Sequence, residues 1–222
     1  MAEDQNMSMD QIEFMKRMKA IASDLWGGMP SGIPEQTAEP ENTKEAPSRP
    51  ETKKASDIRS IWKTADETID WTDALAHNAP SDGLTGQRLW SFYHKHAEKV
   101  LAGDLNAYTE VLQKANPLGE LTDYADGISL RAPDPDRLES FFVCKEELLE
   151  KDQNLYLSAL GLRIARDLLA CMPVSEVAIK GEHEGRTVYE VTFARLQLMH
   201  RNFAFVDPVA LSEECGARFS NN

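Results

Sequence analysis

The chain has few of the features that mark a secreted protein. Among its 222 residues are only three cysteines, Cys144, Cys171 and Cys215, which lie far apart in the sequence. Small secreted domains usually carry a dense and even set of cysteines that pair as disulfides. Cys144 and Cys171 each fall in an apolar run, so we expect reduced and mostly buried thiols. A catalytic cysteine would need an exposed setting and a nearby base, and the sequence shows neither.

Long apolar runs are also missing. The sequence contains no stretch of about 18 apolar residues, the length at which a membrane-spanning helix becomes a candidate. Glu3 and Asp4 stand near the start, and no apolar run follows them as it would in a secretory signal. The sequence therefore predicts a cytoplasmic protein without a membrane partner.

Positive charge is scarce. The formal net charge is −13, and residues 58–222 carry most of it. Nucleic-acid binders usually have a basic surface, whereas an acidic surface repels phosphate backbones and anionic membranes. Arg195, His200 and Arg201 fall close together, but ordinary surface charge is the better interpretation of that cluster. The composition therefore predicts no nucleic-acid partner.

Motifs for catalysis, metals and nucleotides are absent as well. No glycine-rich phosphate loop or Gly-x-Ser-x-Gly turn occurs. His94 and His96 are two residues apart on a predicted helix and so point to different sides, whereas helical metal ligands stand three or four apart. Glu182-His183-Glu184 falls at a predicted hairpin tip, and Glu176 and Lys180 lack the Glu-x-Lys spacing of a metal-dependent nuclease. We therefore expect no cofactor, no metal site and no recognisable catalytic set.

What the chain does have is a sharp internal division. Residues 27–57 contain five prolines, three glycines and ten charged side chains, and almost nothing that could enter a core. Such a composition predicts a disordered and partly extended linker. The linker separates an N-terminal arm, residues 1–26, from residues 58–222, which are long enough to form a single domain with its own core.

The arm is expected to form one amphipathic helix over residues 8–26. Phe14, Met18, Ile21 and Leu25 recur at intervals of four, three and four residues, which places them on one helical face. An isolated helix of this length is marginal in water, so it should dock. The partner is another protein, a second copy of the chain, or its own domain. A membrane surface is disfavoured because the helix is not basic.

The pattern of apolar residues and turns over residues 58–222 predicts an α+β domain, in which helices are followed by elements in the order β-β-α-β-β. Short turns join the strands of each pair, so an antiparallel sheet is expected. The most apolar helix has little polar face and should be buried against that sheet. The expected helices span residues 57–75, 87–102, 104–115 and 155–172, with a short turn near residues 118–124 and a last helix that opens at Asp207-Pro208. The expected strands span residues 128–131, 138–144, 174–180 and 187–198.

Four short runs resemble a bacterial C-terminal domain of unknown function. They are Asn116-Pro117-Leu118, residues 162–169, Met172-Pro173-Val174 and Val206-Asp207-Pro208. The similarity covers about residues 88–219 and implies the same element order behind a variable N-terminal segment and linker. The order also resembles, more loosely, the small acidic domains of the secretion-chaperone-like fold, which bind proteins. Neither resemblance brings a catalytic motif with it.

Arg163 and Arg166 stand out within the predicted buried helix. Charged groups on a mostly apolar helix must pair internally or emerge at an edge of the domain. One interpretation is structural pairing, for example with Glu190 or Asp126. The other is a clamp for an anion or a carboxylate.

These features favour a protein–protein interaction module, adaptor or chaperone-like, that binds another protein or itself. Homodimerisation is a further hypothesis, based on the apolar second hairpin. The alternative is an enzyme, a hydrolase or nuclease, whose scattered site would draw on Arg163, Arg166, Glu190 and Asp126. A flat apolar patch would favour the first hypothesis. A pocket with strongly shifted carboxylate pKa values would favour the second.

Overall fold

A computed structural model describes residues 57–80 and 89–220 of the chain. Within these ranges the fold is α+β, with helices followed by a five-stranded sheet, which confirms the predicted fold class. The predicted arm, with Phe14, Met18, Ile21 and Leu25, and the predicted linker up to residue 56 lie outside the described residues.

Seven α-helices and two short 3-10 helices occur in the described ranges. The 3-10 helices are Ile61–Lys63 and Gly119–Asp123. The α-helices are α1 (Trp71–Ala76), α2 (Trp90–Leu101), α3 (Leu105–Ala115), α4 (Glu146–Leu149), α5 (Gln153–Cys171), α6 (Arg195–Leu198) and α7 (Pro208–Glu214). None of the helices in these ranges is long and apolar enough to cross a bilayer.

The strands follow one another across the sheet in the order of the sequence. They are β1 (Ala125–Asp134), β2 (Arg137–Cys144), β3 (Glu176–His183), β4 (Arg186–Ala194) and β5 (Arg218–Phe219). All neighbouring pairs are antiparallel except β2 and β3, which are parallel. The expectation of a wholly antiparallel sheet is wrong at this pair, because α5 crosses over from the end of β2 and returns the chain in the same direction.

Helix α5 lies in the centre of the domain. Leu157, Leu160, Ile164 and Leu168 are fully buried, and the helix packs on β3 and β4 of the sheet and on α7. The predicted buried helix is therefore confirmed. Its long apolar run explains the placement, because exposing apolar surface to water is unfavourable and this helix is apolar on nearly every side.

The segment before α1 differs from its prediction. A continuous helix was expected over residues 57–75, but residues 64–70, between the 3-10 helix and α1, are not helical, and the backbone is extended at both ends of this segment, Thr64 and Asp70. Their backbone bonds to α5 instead. The Asp66 amide donates to the Asp167 carboxylate over 2.9 Å, and the Ile69 amide donates to the Ala170 carbonyl over 2.9 Å. These contacts replace the bonds that a helix would have made within itself.

The second hairpin also differs at its end. Its turn is confirmed at Glu184 and Gly185, whose positive φ values of 49° and 74° suit the tight turn of a two-residue hairpin. The second strand was expected to continue to residue 198, but β4 ends at Ala194 and α6 follows. The Gln197 side chain accepts a hydrogen bond from the Ala194 amide over 3.1 Å, which favours a helical turn at this point.

Gly161 allows α5 to approach the sheet closely. A Cβ at this position would lie 2.7 Å from a ring carbon of Tyr189 on β4. The position of Tyr189 is also fixed by α7, because its hydroxyl lies 3.0 Å from the Ser212 hydroxyl. The ring therefore has little room to move away from a larger residue.

Gly161→Ala is expected to destabilise the domain by about 1–3 kcal/mol, although alanine favours a helix by about 1 kcal/mol over glycine. The cost comes from overpacking against Tyr189. Chemical denaturation measures the change, with Gly127→Ala as the matched control, because a Cβ at Gly127 meets only Val143 at 3.9 Å. Equal stability of the two variants would contradict this packing.

Candidate functional site

Three arginines gather near the C-terminal half of α5, and each has a different set of partners. Arg163 and Arg166 are on α5 itself, and Arg195 begins α6. The sequence singled out the first two as a candidate clamp and treated Arg195 as surface charge. In the structure, Arg163 is a buried structural group, whereas Arg166 and Arg195 line one cavity.

Arg163 is a buried structural group. Its Nε atom donates to Asp167 Oδ2 over 2.6 Å, and its Nη1 atom donates to Thr64 Oγ1 over 2.7 Å. Two more carboxylates, of Asp66 and Glu120, lie 4.0 Å and 3.9 Å from its Nη2 atom. Arg163 is therefore surrounded by its own chain and is not open to a ligand.

The structural partners suggested for the arginines from sequence are not the ones observed. Glu190 pairs with Lys180 on the neighbouring strand over 3.1 Å, a distance measured between the lysine nitrogen and a carboxylate oxygen. Arg163 finds its carboxylate four residues further along its own helix, at Asp167. This spacing is visible in the sequence, since residues four apart share a helical face.

Asp167 is fully buried, and burial has the largest effect on its titration. Burial raises the pKa of this carboxyl group to about 7, against the opposing attraction of Arg163 and the hydrogen bond from the Asp66 backbone. A raised pKa inside a cleft would mark a catalytic candidate. Asp167 has no exposed surface, however, and both its oxygens accept hydrogen bonds from the chain.

Arg166 is half-buried and faces a different neighbour. Its Nη1 atom donates to the backbone carbonyls of Trp62 and Thr64. Its guanidinium carbon lies 3.7 Å from the centre of the Phe203 ring, which is a cation–π arrangement. Removal from water is the largest cause that lowers the pKa of this guanidinium; the Asp167 carboxylate opposes it, and the positive charge of Arg163 lowers the pKa further.

Arg195 caps the C-terminal end of α5. Its Nη2 atom donates to the carbonyls of Leu169 and Met172 over 2.8 Å and 2.6 Å, and its Nε atom donates to the Val174 carbonyl over 2.8 Å. The last carbonyls of a helix lack partners within the helix and attract positive charge. No local signal predicts this role, because Arg195 is more than 20 residues from the carbonyls that it binds.

Arg166 and Arg195 both line a cavity of about 170 Å³. Within the described ranges neither guanidinium has a carboxylate oxygen within 4.0 Å. The wall is otherwise mostly apolar, and Asp66 is its acidic member. The complete lining consists of Ala65, Asp66, Thr68, Arg166, Leu169, Ala170, Arg195, Leu198, Met199 and Phe203.

The chain that forms one wall of the cavity also exposes large apolar side chains. Leu196 is 81 % exposed, Met199 56 % and Phe205 87 %. Met199 belongs to the cavity wall, and the other two are on the same short stretch of chain. We call Leu196, Met199 and Phe205 the apolar ridge. No sequence pattern pointed to it, because these residues were assigned to a strand and a loop.

The other candidates from sequence form no site in the described part of the chain. His96 contacts the Phe92 carbonyl and the Glu110 carboxylate, both at 2.8 Å, while His94 Nδ1 lies 2.6 Å from the Ala74 carbonyl. No group of three histidine, cysteine or acidic side chains there could hold a metal ion. Cys144 and Cys171 are free and buried, as expected, and burial raises the pKa of each thiol to about 12.

In comparisons with known proteins, no family model, curated protein or solved structure matches the chain. The class that the described residues define is an α+β domain with a mostly antiparallel sheet. The resemblance to a bacterial C-terminal domain stays a prediction.

Arg195→Gln is expected to destabilise the domain by about 2 kcal/mol, because the last carbonyls of α5 lose a charged donor. Thermal or chemical unfolding measures the loss. The matched control is Arg201→Gln, six residues along, since Arg201 forms an exposed ion pair with Glu214 and such pairs contribute about 0–1 kcal/mol. Equal effects of the two changes would contradict the capping role of Arg195.

Proposed function

We propose that this chain is a protein–protein interaction module and that its domain binds a partner through the apolar ridge beside the cavity. The observation that supports this most is the exposure of Leu196 and Phe205, two large apolar side chains on one short stretch of chain. Scattered apolar residues are normal on a protein surface. Here three of them fall within ten residues of the chain, and one of the three, Met199, lines the cavity, which favours a binding surface.

The backbone under the ridge is well anchored, which suits recognition. Arg195 attaches the start of α6 to the end of α5, and the Arg195 amide donates to the Ser175 carbonyl over 2.8 Å. The Trp62 indole donates to the Val206 carbonyl over 3.1 Å at the other end of the stretch. A surface that is already ordered loses less conformational entropy on binding than a flexible one.

The enzyme hypothesis has less support. It required a pocket in which Arg163, Arg166, Glu190 and Asp126 converge. The described cavity contains only Arg166 of this set, because Arg163 is enclosed by its own chain and Glu190 pairs with Lys180. The carboxyl group with the strongly raised pKa, Asp167, is buried beyond the reach of a substrate. This observation favours binding over catalysis.

The N-terminal arm would supply a second contact under this proposal. Its apolar residues Phe14, Met18, Ile21 and Leu25 would engage a protein surface at a distance set by the linker, and such tethering raises the effective local concentration of the second contact. The proposed setting is the cytoplasm, for which the free thiols of Cys144 and Cys171 are the supporting observation.

The test is a selection of displayed random peptides against the full chain. Peptides that bind the ridge should lose about tenfold or more in affinity on Leu196→Ser or Phe205→Ser, because each side chain contributes roughly 1.5–3 kcal/mol when it is buried. Both variants should unfold at the same temperature as the natural protein, since these side chains are exposed in the free domain.

Leu75→Ser is the matched control. Leu75 is on α1, away from the ridge in sequence, and is 45 % exposed. Binding should survive this change. A selection that yields no binders, or binders that are indifferent to Leu196→Ser and Phe205→Ser, would contradict the proposed docking surface.

A further inference from the structure

We propose that the cavity between Arg166 and Arg195 receives a carboxylate, and that this carboxylate belongs to an acidic side chain of the partner segment that covers the apolar ridge. The inference rests on the proposed function and names the chemistry of the partner. It also replaces the pair suggested from sequence, since Arg195 takes the place of Arg163.

Unused donors are the first argument. A guanidinium group has five N–H donors. Arg166 uses Nη1 for the carbonyls of Trp62 and Thr64, and Arg195 uses Nε and Nη2 for carbonyls at the end of α5. In the described part of the chain, Nε and Nη2 of Arg166 and Nη1 of Arg195 have no acceptor. These donors are attached to side chains that line the same cavity.

Charge is the second argument. Arginine stays charged at all ordinary pH values. Both guanidinium groups are half-buried at the cavity, and the lowered pKa of each reflects removal from water as the largest cause. The neighbouring Asp66 carboxylate is directed in part to Arg163, 4.0 Å away. Positive charge therefore exceeds negative charge at the wall, and an incoming anion would balance it.

Size and lining favour a carboxylate over a phosphate. The volume of about 170 Å³ accommodates a short acidic side chain with some of its stem. Leu169, Leu198 and Met199 offer apolar contact to methylene groups but no further donors. A phosphate group has three strong acceptor oxygens and no alkyl stem, so it would leave the apolar side of the wall without contact. A singly charged carboxylate on an alkyl stem matches the cavity better.

The apolar ridge indicates the source of the carboxylate. Met199 belongs to both the cavity wall and the ridge, so a ligand that fills the cavity and covers the ridge needs apolar groups next to its acid. A protein segment with an aspartate or glutamate beside large apolar residues has this pattern. The rest of the domain is acidic and would repel such a segment, so the two arginines would also set its position.

The first experiment uses hexanoate and its uncharged amide, hexanamide, with the full chain. Side-chain Nε–H signals of arginine in two-dimensional NMR report the contact. Hexanoate should shift the signals of Arg166 and Arg195 in a saturable manner, with a dissociation constant of about a millimolar or weaker for so small a ligand. Hexanamide should not. The Nε–H signal of Arg163 is the internal control, because Arg163 is enclosed by its own chain and does not line the cavity.

Three results would overturn the carboxylate site. They are the absence of a saturable shift with hexanoate, equal shifts with hexanamide, and shifts confined to other arginines. Because this experiment uses the natural protein, it does not depend on the stability of a variant. Arg166→Gln then adds a check, and it should weaken hexanoate binding several-fold while Lys180→Gln, a surface change on β3, leaves it unchanged.

The source of the carboxylate is tested on the peptides selected against the ridge. Replacing their acidic residue by its amide should weaken binding about tenfold, as expected for one charge-assisted pair. If selected peptides depend on Leu196 and Phe205 but tolerate the amide, the docking surface stands and the carboxylate inference fails. If hexanoate binds and no selected peptide carries an acid, a free small carboxylate is the ligand and the proposed source is wrong.

Discussion

The buried ion pair between Arg163 and Asp167 is the constraint on which much of this domain depends. Both side chains project from a helix that lies inside the core, where an unpaired charge would cost several kcal/mol. Arg163 Nε donates to the Asp167 carboxylate over 2.6 Å. Arg163 also donates to the Thr64 hydroxyl, and Asp167 also accepts from the Asp66 amide, so both side chains bond to the segment that precedes α1. The non-helical stretch before α1 is therefore fixed by polar groups of α5 and not by its own helical tendency.

The end of the same helix links the fold to its proposed use. Arg195 binds the last carbonyls of α5 and so fixes the start of α6, while Arg166 stacks on Phe203. These two contacts hold opposite ends of the stretch that displays the apolar ridge. Each arginine has structural bonds, lines the cavity, and keeps N–H donors that have no acceptor in the described part of the chain. One arrangement thus orders a surface and leaves positive charge beside it, which is the combination that an acidic, apolar partner segment would recognise.

Much of the fold could be predicted because its signals are local. The apolar run of α5, the caps at Asp104 and Asp207 and the turn at Gly185 are all encoded within a few residues. The predictions that were wrong share one cause, which is contact between residues far apart in the sequence. The non-helical conformation of residues 64–70 follows from bonds to residues about 100 positions away, and the cap by Arg195 joins two separate elements. Of the two arginines proposed to bind a carboxylate, Arg166 could be identified from the sequence. Arg195 could be identified only from the structure, because long-range packing brings it to the cavity.

Native-state amide hydrogen exchange on the full chain tests the central constraint most directly. If α5 fixes the preceding segment, the amides of Asp66 and Ile69 should exchange only by global unfolding. Their exchange free energies would then lie within about 1 kcal/mol of those in the middle of α5. Exchange of these two amides through a local opening, at a free energy several kcal/mol lower, would show that the segment is not held by the buried pair and would contradict this view of the domain.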